Sequence, residues 1–214
     1  MRRDGKENML LISGMVVLIL SAAAVSYMVA SYQNSLKMKE VQVIYEYKIE
    51  SISTQAEKFG DNLSKALTYL DIARYNLEEA KFNLDKSLFW MGEEEYAEMN
   101  ASSSNAVYYF RRANTIFGKA LDFLLISKNF TVENYKKILE YYINYTNSAL
   151  NLTKTGELMS IHLNNASHYL LSGAADDADA EFQKFSKLQG VYNEWYQEME
   201  DNLIKIKTFY GIRG

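Results

Sequence analysis

Apolar residues recur along most of this chain at alternating spacings of three and four. The first stretch carries them at Ile49, Ile52, Ala56, Phe59, Leu63, Ala66, Leu70, Ala73, Leu77, Ala80 and Leu84. A mean repeat of about 3.5 residues places all of these side chains on one face of an α-helix, as in coiled coils and helical bundles. The pattern therefore predicts long helices that each bury one face.

Three further stretches repeat this pattern, with turn-forming residues between them. They run from Tyr96 to Leu124, from Tyr135 to Leu170 and from Ala178 to Ile206. Short connections between long helices favour antiparallel neighbours. The chain has no proline, a residue that breaks helix interiors. We therefore predict an all-α fold, in which an N-terminal transmembrane helix continues into an up-down antiparallel four-helix bundle with coiled-coil-like seams.

The first helix of the bundle is predicted from about Leu36 to Phe89. Its apolar positions keep the same phase on both sides of Gly60, which a turn would have no reason to preserve. A glycine inside a helix nevertheless costs ~1 kcal/mol relative to alanine. A break at residues 60–62 is therefore an alternative that the sequence leaves open.

The predicted membrane segment is the uncharged apolar run at residues 9–30. A helix of this length spans about 33 Å, enough to cross a hydrocarbon core of ~30 Å. Arg2, Arg3 and Lys6 precede the run, and basic residues are enriched on the cytoplasmic side of membrane helices. The sequence predicts a single-pass signal anchor in the cell membrane, with a cytoplasmic N-terminus and a bundle outside the cytoplasm.

Two other interpretations of this segment remain open. The small residues at 22–24 fit the cleavage pattern of a secretory signal peptide, and Gly5 could end a pilin-type leader. With an uncleaved anchor, the chain has four parts: a short cytoplasmic tail (1–8), a transmembrane helix (9–30), a membrane-proximal helical connector (31–60) and an extracytoplasmic helical bundle (61–214).

The composition offers little for catalysis. Cysteine is absent, which excludes disulfides, zinc–thiolate sites and cysteine nucleophiles. The net charge is −4, with no basic cluster beyond the N-terminus, so nucleic acid is not an expected partner. His162 and His168 are six residues apart, point in different directions on a helix and are expected at the surface or on a flank of the helix. We predict no catalytic residue, no cofactor and no metal site.

Two acidic runs accompany predicted turns. They consist of Glu93–Glu95 with Glu98, and of Asp176, Asp177, Asp179 and Glu181. Acidic side chains stabilise the positive N-terminal end of a helix. The second run lacks the glycine and the distal glutamate of an EF-hand calcium loop. We expect both runs to serve helix N-termini, and a weak cation site is the alternative.

Tyrosine is abundant, with 17 residues. The densest clusters are Tyr108, Tyr109 and Phe110, and Tyr141, Tyr142 and Tyr145. Tyrosines at helical spacing are expected to fill the core while their hydroxyls reach the surface. The alternative is that such a cluster lines a ligand pocket.

The chain contains six N-glycosylation sequons, where its composition alone would give roughly two. Their asparagines are Asn62, Asn100, Asn129, Asn144, Asn151 and Asn165. Asn144, Asn151 and Asn165 share the c position of the third helix, which is predicted to face solvent. Asn129 falls in a predicted turn. This placement favours acceptors on an exported domain, and a polar surface rich in Asn, Ser and Thr is the alternative.

Together these features favour a membrane-anchored, extracytoplasmic helical-bundle protein with a structural or protein-interaction role and no catalysis. Its expected partners are membrane lipid and either another protein or a second copy of itself, bound through helices. The alternative is a ligand-binding sensory or accessory domain of a membrane complex, which holds a small molecule in a Tyr-lined pocket. A closed core would favour the first function, and a cavity ringed by tyrosine would favour the second.

Overall fold

The described part of the chain forms four long α-helices. The computed structural model describes the backbone of residues 4–131 and 133–211, and the side chains of residues 26, 28, 30–131, 133 and 135–211. The helices are α1 (Asp4–Gly92), α2 (Tyr96–Lys128), α3 (Glu133–Leu171) and α4 (Ala175–Phe209). The described residues form no strand, and the predicted all-α class is confirmed.

The first helix is longer than predicted and continues through Gly60. α1 is a single helix of 89 residues, so the alternative of a break at residues 60–62 is wrong. Gly60 is exposed, and a Cβ added there would meet no atom within 4 Å. The free-energy cost of this glycine therefore does not break the helix, and the apolar positions on both sides of it stay on one face.

The chain divides into two units, Met1–Thr54 and Gln55–Gly214. Every described side chain of the first unit is exposed. In the second unit, the remainder of α1 packs with α2, α3 and α4 around a shared core. The prediction of four helices packed as a bundle is confirmed.

Most predicted seam positions of the bundle are buried. In α2 the buried apolar residues are Met99, Ala106, Phe110, Ala113, Phe117, Ala120 and Leu124. From Phe59 onward the α1 seam is buried or, at Leu63, half-buried, whereas Ile49, Ile52 and Ala56 are exposed. These three residues lie in the part of α1 that was predicted as a connector before the bundle.

One close contact shows how tightly α2 and α3 pack. The ring of Phe110 lies over Gly156, and a Cβ built on this glycine would be 2.5 Å from two ring carbons. Gly156 lies within the third predicted apolar stretch, and this contact explains why its position carries no side chain. Glycine provides the space for a large aromatic ring inside a close-packed core.

Polar side chains join α2 to α3 along their length. The Asn114 amide donates to the Thr153 hydroxyl at 2.8 Å, and the Asn100 amide donates to the Ser167 hydroxyl at 2.9 Å. Asn164 donates back to the Ser104 hydroxyl at 2.7 Å. As the residue number on α2 rises from Asn100 to Asn114, that of the partner on α3 falls from Ser167 to Thr153, which is the arrangement of two antiparallel helices. We call these three asparagine–hydroxyl pairs the polar seam.

The turns lie where they were expected. Glu94 has φ 60° and Gly173 has φ 78°, so the first and third connections each contain a left-handed residue. Glu98 lies in the first turn of α2, and Asp176 and Asp177 lie in the first turn of α4, near the positive helix ends as predicted. Neither helix receives a side-chain hydrogen bond from its N-cap residue, so these acids act through charge alone.

The predicted membrane segment, residues 9–30, lies almost entirely outside the residues whose side chains are described. Within the described part of the chain, no helix carries an apolar stretch long enough to cross a bilayer.

Candidate functional sites

A half-open cleft of about 240 Å³ lies between α1, α3 and α4 in the bundle unit. Its apolar walls are the side chains of Leu67, Leu70, Leu203 and Ile206. Leu70 and Ile206 belong to the core of the bundle, so the cleft opens from the core to the surface. We call it the tyrosine cleft, after the three tyrosines that complete its lining.

Tyr142 and Tyr145 reach the tyrosine cleft from α3, and Tyr210 reaches it from the residue after α4. Burial raises the pKa of Tyr142, and the adjacent Tyr210 hydroxyl raises it further. Burial also raises the pKa of Tyr145 to about 12, although the nearby Arg74 guanidinium acts in the opposite direction. Both α3 hydroxyls therefore keep their protons at neutral pH and can donate hydrogen bonds.

Three charged residues complete the lining of the tyrosine cleft. Asp71 and Arg74 lie one turn apart on α1, and Lys207 lies on the last turn of α4. All three side chains are exposed. None of them forms an ion pair with another residue in the described part of the chain. The cleft therefore offers charges of both signs to a ligand.

The tyrosine clusters of the sequence separate in the structure. Tyr142 and Tyr145 share the tyrosine cleft, whereas Tyr141 lies in a shallow depression against the other side of α4. Phe110 is fully buried, and Tyr108 is exposed beside Arg112. The sequence therefore identified the two α3 residues of the cleft. It gave no signal for Tyr210 or the charged residues, which distant parts of the chain supply.

A second polar site surrounds Glu181 on α4. Its carboxylate contacts His162 Nδ1 at 2.6 Å, Lys184 Nζ at 2.5 Å and Asn165 Nδ2 at 3.3 Å. Burial by itself would raise the pKa of Glu181, but the hydrogen bonds from Lys184, His162 and Asn165 outweigh it and lower the pKa to about 2. The carboxylate is thus held in its charged form.

One prediction is corrected by this site. Glu181 was expected to serve the helix N-terminus with the other acids of its run, but it is buried against α3. Of the two histidines expected at the surface or on a helix flank, His162 is half-buried as a partner of Glu181 and His168 is exposed. No three His, Asp or Glu side chains in the described ranges are grouped as metal ligands.

An apolar stripe without a partner runs along α1 in the first unit. Its residues are Met38, Val41, Tyr45, Ile49 and Ile52, which are 73%, 50%, 62%, 65% and 61% exposed. On a helix these positions fall within an arc of about 80°. No charged residue lies inside this arc. We call this surface the α1 stripe.

The sequon asparagines occupy three kinds of position. Asn144, Asn151 and Asn165 are exposed on α3, as predicted from the heptad, and Asn129 is exposed at the end of α2. Asn62 and Asn100 are half-buried, and their amides donate hydrogen bonds within the bundle. Their use as glycosylation sites stays a prediction.

The hydroxyl residues of the sequons are less accessible than the asparagines. The four that follow Asn100, Asn144, Asn151 and Asn165 are buried: Ser102, Thr146, Thr153 and Ser167. Thr131, which follows Asn129, is half-buried, and Ser64, which follows Asn62, is exposed. The folded bundle therefore hides half of the recognition element at four sequons.

Comparison of the chain with protein-family models, with curated proteins and with solved structures gives no match. Its function is therefore argued from its own residues, and above all from the α1 stripe and the tyrosine cleft.

Proposed function

We propose that this protein is a membrane-anchored, extracytoplasmic helical bundle that binds another protein or a second copy of itself through the α1 stripe, and that it has no catalytic role. The observation that carries the proposal is the exposure of the stripe. All five of its side chains keep half or more of their area exposed. Contiguous apolar surface of this kind marks sites of association.

The spacing of the α1 stripe favours a helical partner. Its residues follow one another at steps of three, four, four and three, which is the pattern of a coiled-coil seam. In sequence the stripe continues directly into the seam that α1 contributes to the bundle. The same helix therefore carries one apolar face with a partner in the chain and one without.

The anchor and its orientation are argued from the sequence. The uncharged run at residues 9–30 is long enough to span a bilayer, and the basic residues before it favour a cytoplasmic tail at 1–8. Residues 31–60 would then carry the α1 stripe close to the membrane surface, and residues 61–214 would form the extracytoplasmic bundle. The excess of sequons agrees with this orientation. Membrane lipid is accordingly a partner of the anchor.

The absence of native cysteine permits a direct test of the stripe. Ile49→Cys or Tyr45→Cys would place a single thiol on the stripe. Tyr47 is 73% exposed on the opposite side of the same helix, so Tyr47→Cys is the matched control. In intact membranes, a thiol-directed photocrosslinker on the stripe should give a covalent adduct. A dimer of the chain identifies a second copy, and a different mass identifies another protein. Equal crosslinking from both sides of the helix, or none, would contradict the proposal.

The orientation is tested with a single thiol on the bundle. Ser186→Cys is suitable because Ser186 is exposed on α4. A maleimide that does not cross membranes should label this variant in intact cells. Labelling only after lysis would place the bundle in the cytoplasm and overturn the proposed localisation.

The tyrosine cleft favours a second candidate function, a ligand-binding sensory or accessory domain of a membrane complex. A concave site with apolar walls and a few convergent polar groups is the usual form of a small-molecule site. This function and binding through the α1 stripe are compatible, because the two surfaces share no residue.

A further inference from the structure

We infer that the tyrosine cleft binds a small zwitterion with an apolar side chain, of the class of the α-amino acids leucine and phenylalanine. The inference rests on the ligand-binding function given above as the second candidate, and it names the ligand class. It follows from the size of the cleft, from its charges and from its hydroxyl groups.

The size of the cleft sets an upper bound on the ligand. A dry cavity of about 150 Å³ accepts one benzene ring, and the tyrosine cleft measures about 240 Å³. Its aliphatic lining would cover one ring or one branched alkyl group. The three charged residues of the lining are exposed and therefore border the open side of the cleft. A ligand with an apolar end and a polar end fits this division.

The charges require a ligand with both signs. Arg74 and Lys207 line the cleft from two different helices, and Asp71 lines it from α1, one turn before Arg74. A simple anion would be repelled by Asp71, and a simple cation by Arg74 and Lys207. In a zwitterion, the carboxylate meets the guanidinium and the ammonium meets Asp71. Charge-assisted hydrogen bonds of this kind are the strong ones.

The tyrosines add donors that do not titrate near neutral pH. A tyrosine hydroxyl is protonated at neutral pH, and burial raises the pKa of Tyr142 and Tyr145 further from that range, so both can donate to the ligand carboxylate. Their rings extend the apolar lining. The carboxylate therefore has two hydroxyl donors in addition to the cations.

The test is calorimetric titration of the purified full chain with L-phenylalanine and L-leucine, beside two truncated probes. 3-Phenylpropionate lacks the ammonium group, and phenethylamine lacks the carboxylate. We expect phenylalanine to bind about tenfold or more tightly than either probe. Arg74→Gln and Asp71→Asn should each weaken phenylalanine binding by about tenfold. The Asp71→Asn variant should also lose the preference for phenylalanine over 3-phenylpropionate.

Matched controls are available because these residues are exposed. Lys154→Gln and Asp122→Asn remove the same charges at exposed positions outside the cleft and should leave binding unchanged. If phenylalanine binds but neither cleft variant weakens it, binding lies outside the cleft, and both the ligand class and the ligand-binding function of the cleft are overturned. If a truncated probe binds as tightly as phenylalanine and the cleft variants weaken it, the ligand class is wrong while the ligand-binding function stands. If neither amino acid nor either probe binds at millimolar concentration, both the ligand class and the ligand-binding function are overturned. The proposal for the α1 stripe is unaffected, since crosslinking tests it separately.

Discussion

The Nδ1 atom of His162 on α3 lies 2.6 Å from Oε2 of Glu181 on α4 and ties these two helices together. The imidazole can donate this hydrogen bond only from a protonated Nδ1. Glu181 is 7% exposed, and a buried carboxylate is costly unless donors surround it. Lys184 and Asn165 supply the other two donors, so the contact is part of a satisfied polar group within the bundle.

Removing the imidazole should destabilise the bundle. His162→Ala takes one donor from a buried carboxylate, and a loss of this kind costs about 1–3 kcal/mol. Urea unfolding followed by circular dichroism measures the change. His168→Ala is the control, because His168 is exposed and its substitution should stay within ~0.5 kcal/mol. Equal effects of the two variants would show that the His162–Glu181 contact contributes nothing to stability.

Glu181 should also make stability depend on pH. Its pKa is lowered from 4.5 to about 2 in the folded protein. On acidification, the Glu181 carboxylate therefore takes up a proton at a higher pH in the unfolded chain than in the folded one. The stabilisation is therefore complete above pH 4.5 and is lost as the pH falls towards 2. We expect Glu181→Gln to show a shallower fall in the free energy of unfolding across this window. A slope identical to that of the parent chain would contradict the assignment.

The contact between Phe110 and Gly156 predicts opposite effects at two glycines. Gly156→Ala would place a Cβ 2.5 Å from the Phe110 ring, and overpacking of this kind costs about 1–3 kcal/mol. Gly190 is exposed inside α4, with no atom within 4 Å of an added Cβ, so Gly190→Ala should stabilise by up to ~1 kcal/mol. Thermal unfolding of both variants measures the difference. Stabilisation by Gly156→Ala would mean that the ring moves aside freely.

The sequons differ in the exposure of their hydroxyl residues, so the extent of glycosylation should differ between them. Asn129 lies at the exposed end of α2, outside the helices, whereas four other sequons have buried hydroxyl residues. In a secretory pathway that glycosylates, Asn129 should therefore carry the most complete glycan. Asn129→Gln should remove the main gel-mobility shift that a glycosidase reverses. Asn151→Gln is the matched substitution and should leave most of that shift. The opposite pattern would indicate modification before the bundle folds.

The sequence predicted the helices and their buried faces because one repeat governs both. Ala106, Phe117 and Leu152 lie within the predicted apolar stretches, and all three are fully buried. The repeat did not reveal a second buried stripe on α3, formed by Thr146, Thr153, Ser160 and Ser167. These polar residues are buried because α3 packs against both α2 and α4. A heptad analysis that scores only apolar residues cannot detect such a stripe.

The candidate sites were harder to predict because they depend on how helices face one another. His162 and Glu181 lie at similar distances from the connection at 172–174, and antiparallel pairing alone could have suggested their contact. For the tyrosine cleft, the sequence offered Tyr142 and Tyr145, but the positions of Arg74 and Lys207 follow only from the packing of three helices. The α1 stripe could be recognised in the sequence as part of the seam, but the sequence did not reveal that its side chains are exposed.

The polar seam between α2 and α3 opposes any sliding of one helix along the other. Sliding one helix by a heptad would move Asn114 about 10 Å along the axis from Thr153, and each half-buried amide left without a partner would cost about 1–3 kcal/mol. The two helices therefore fit together in a single alignment. An insertion in the connection at 129–132 should lengthen that loop and leave the alignment intact, so side chains rather than loop length determine the relative height of the helices.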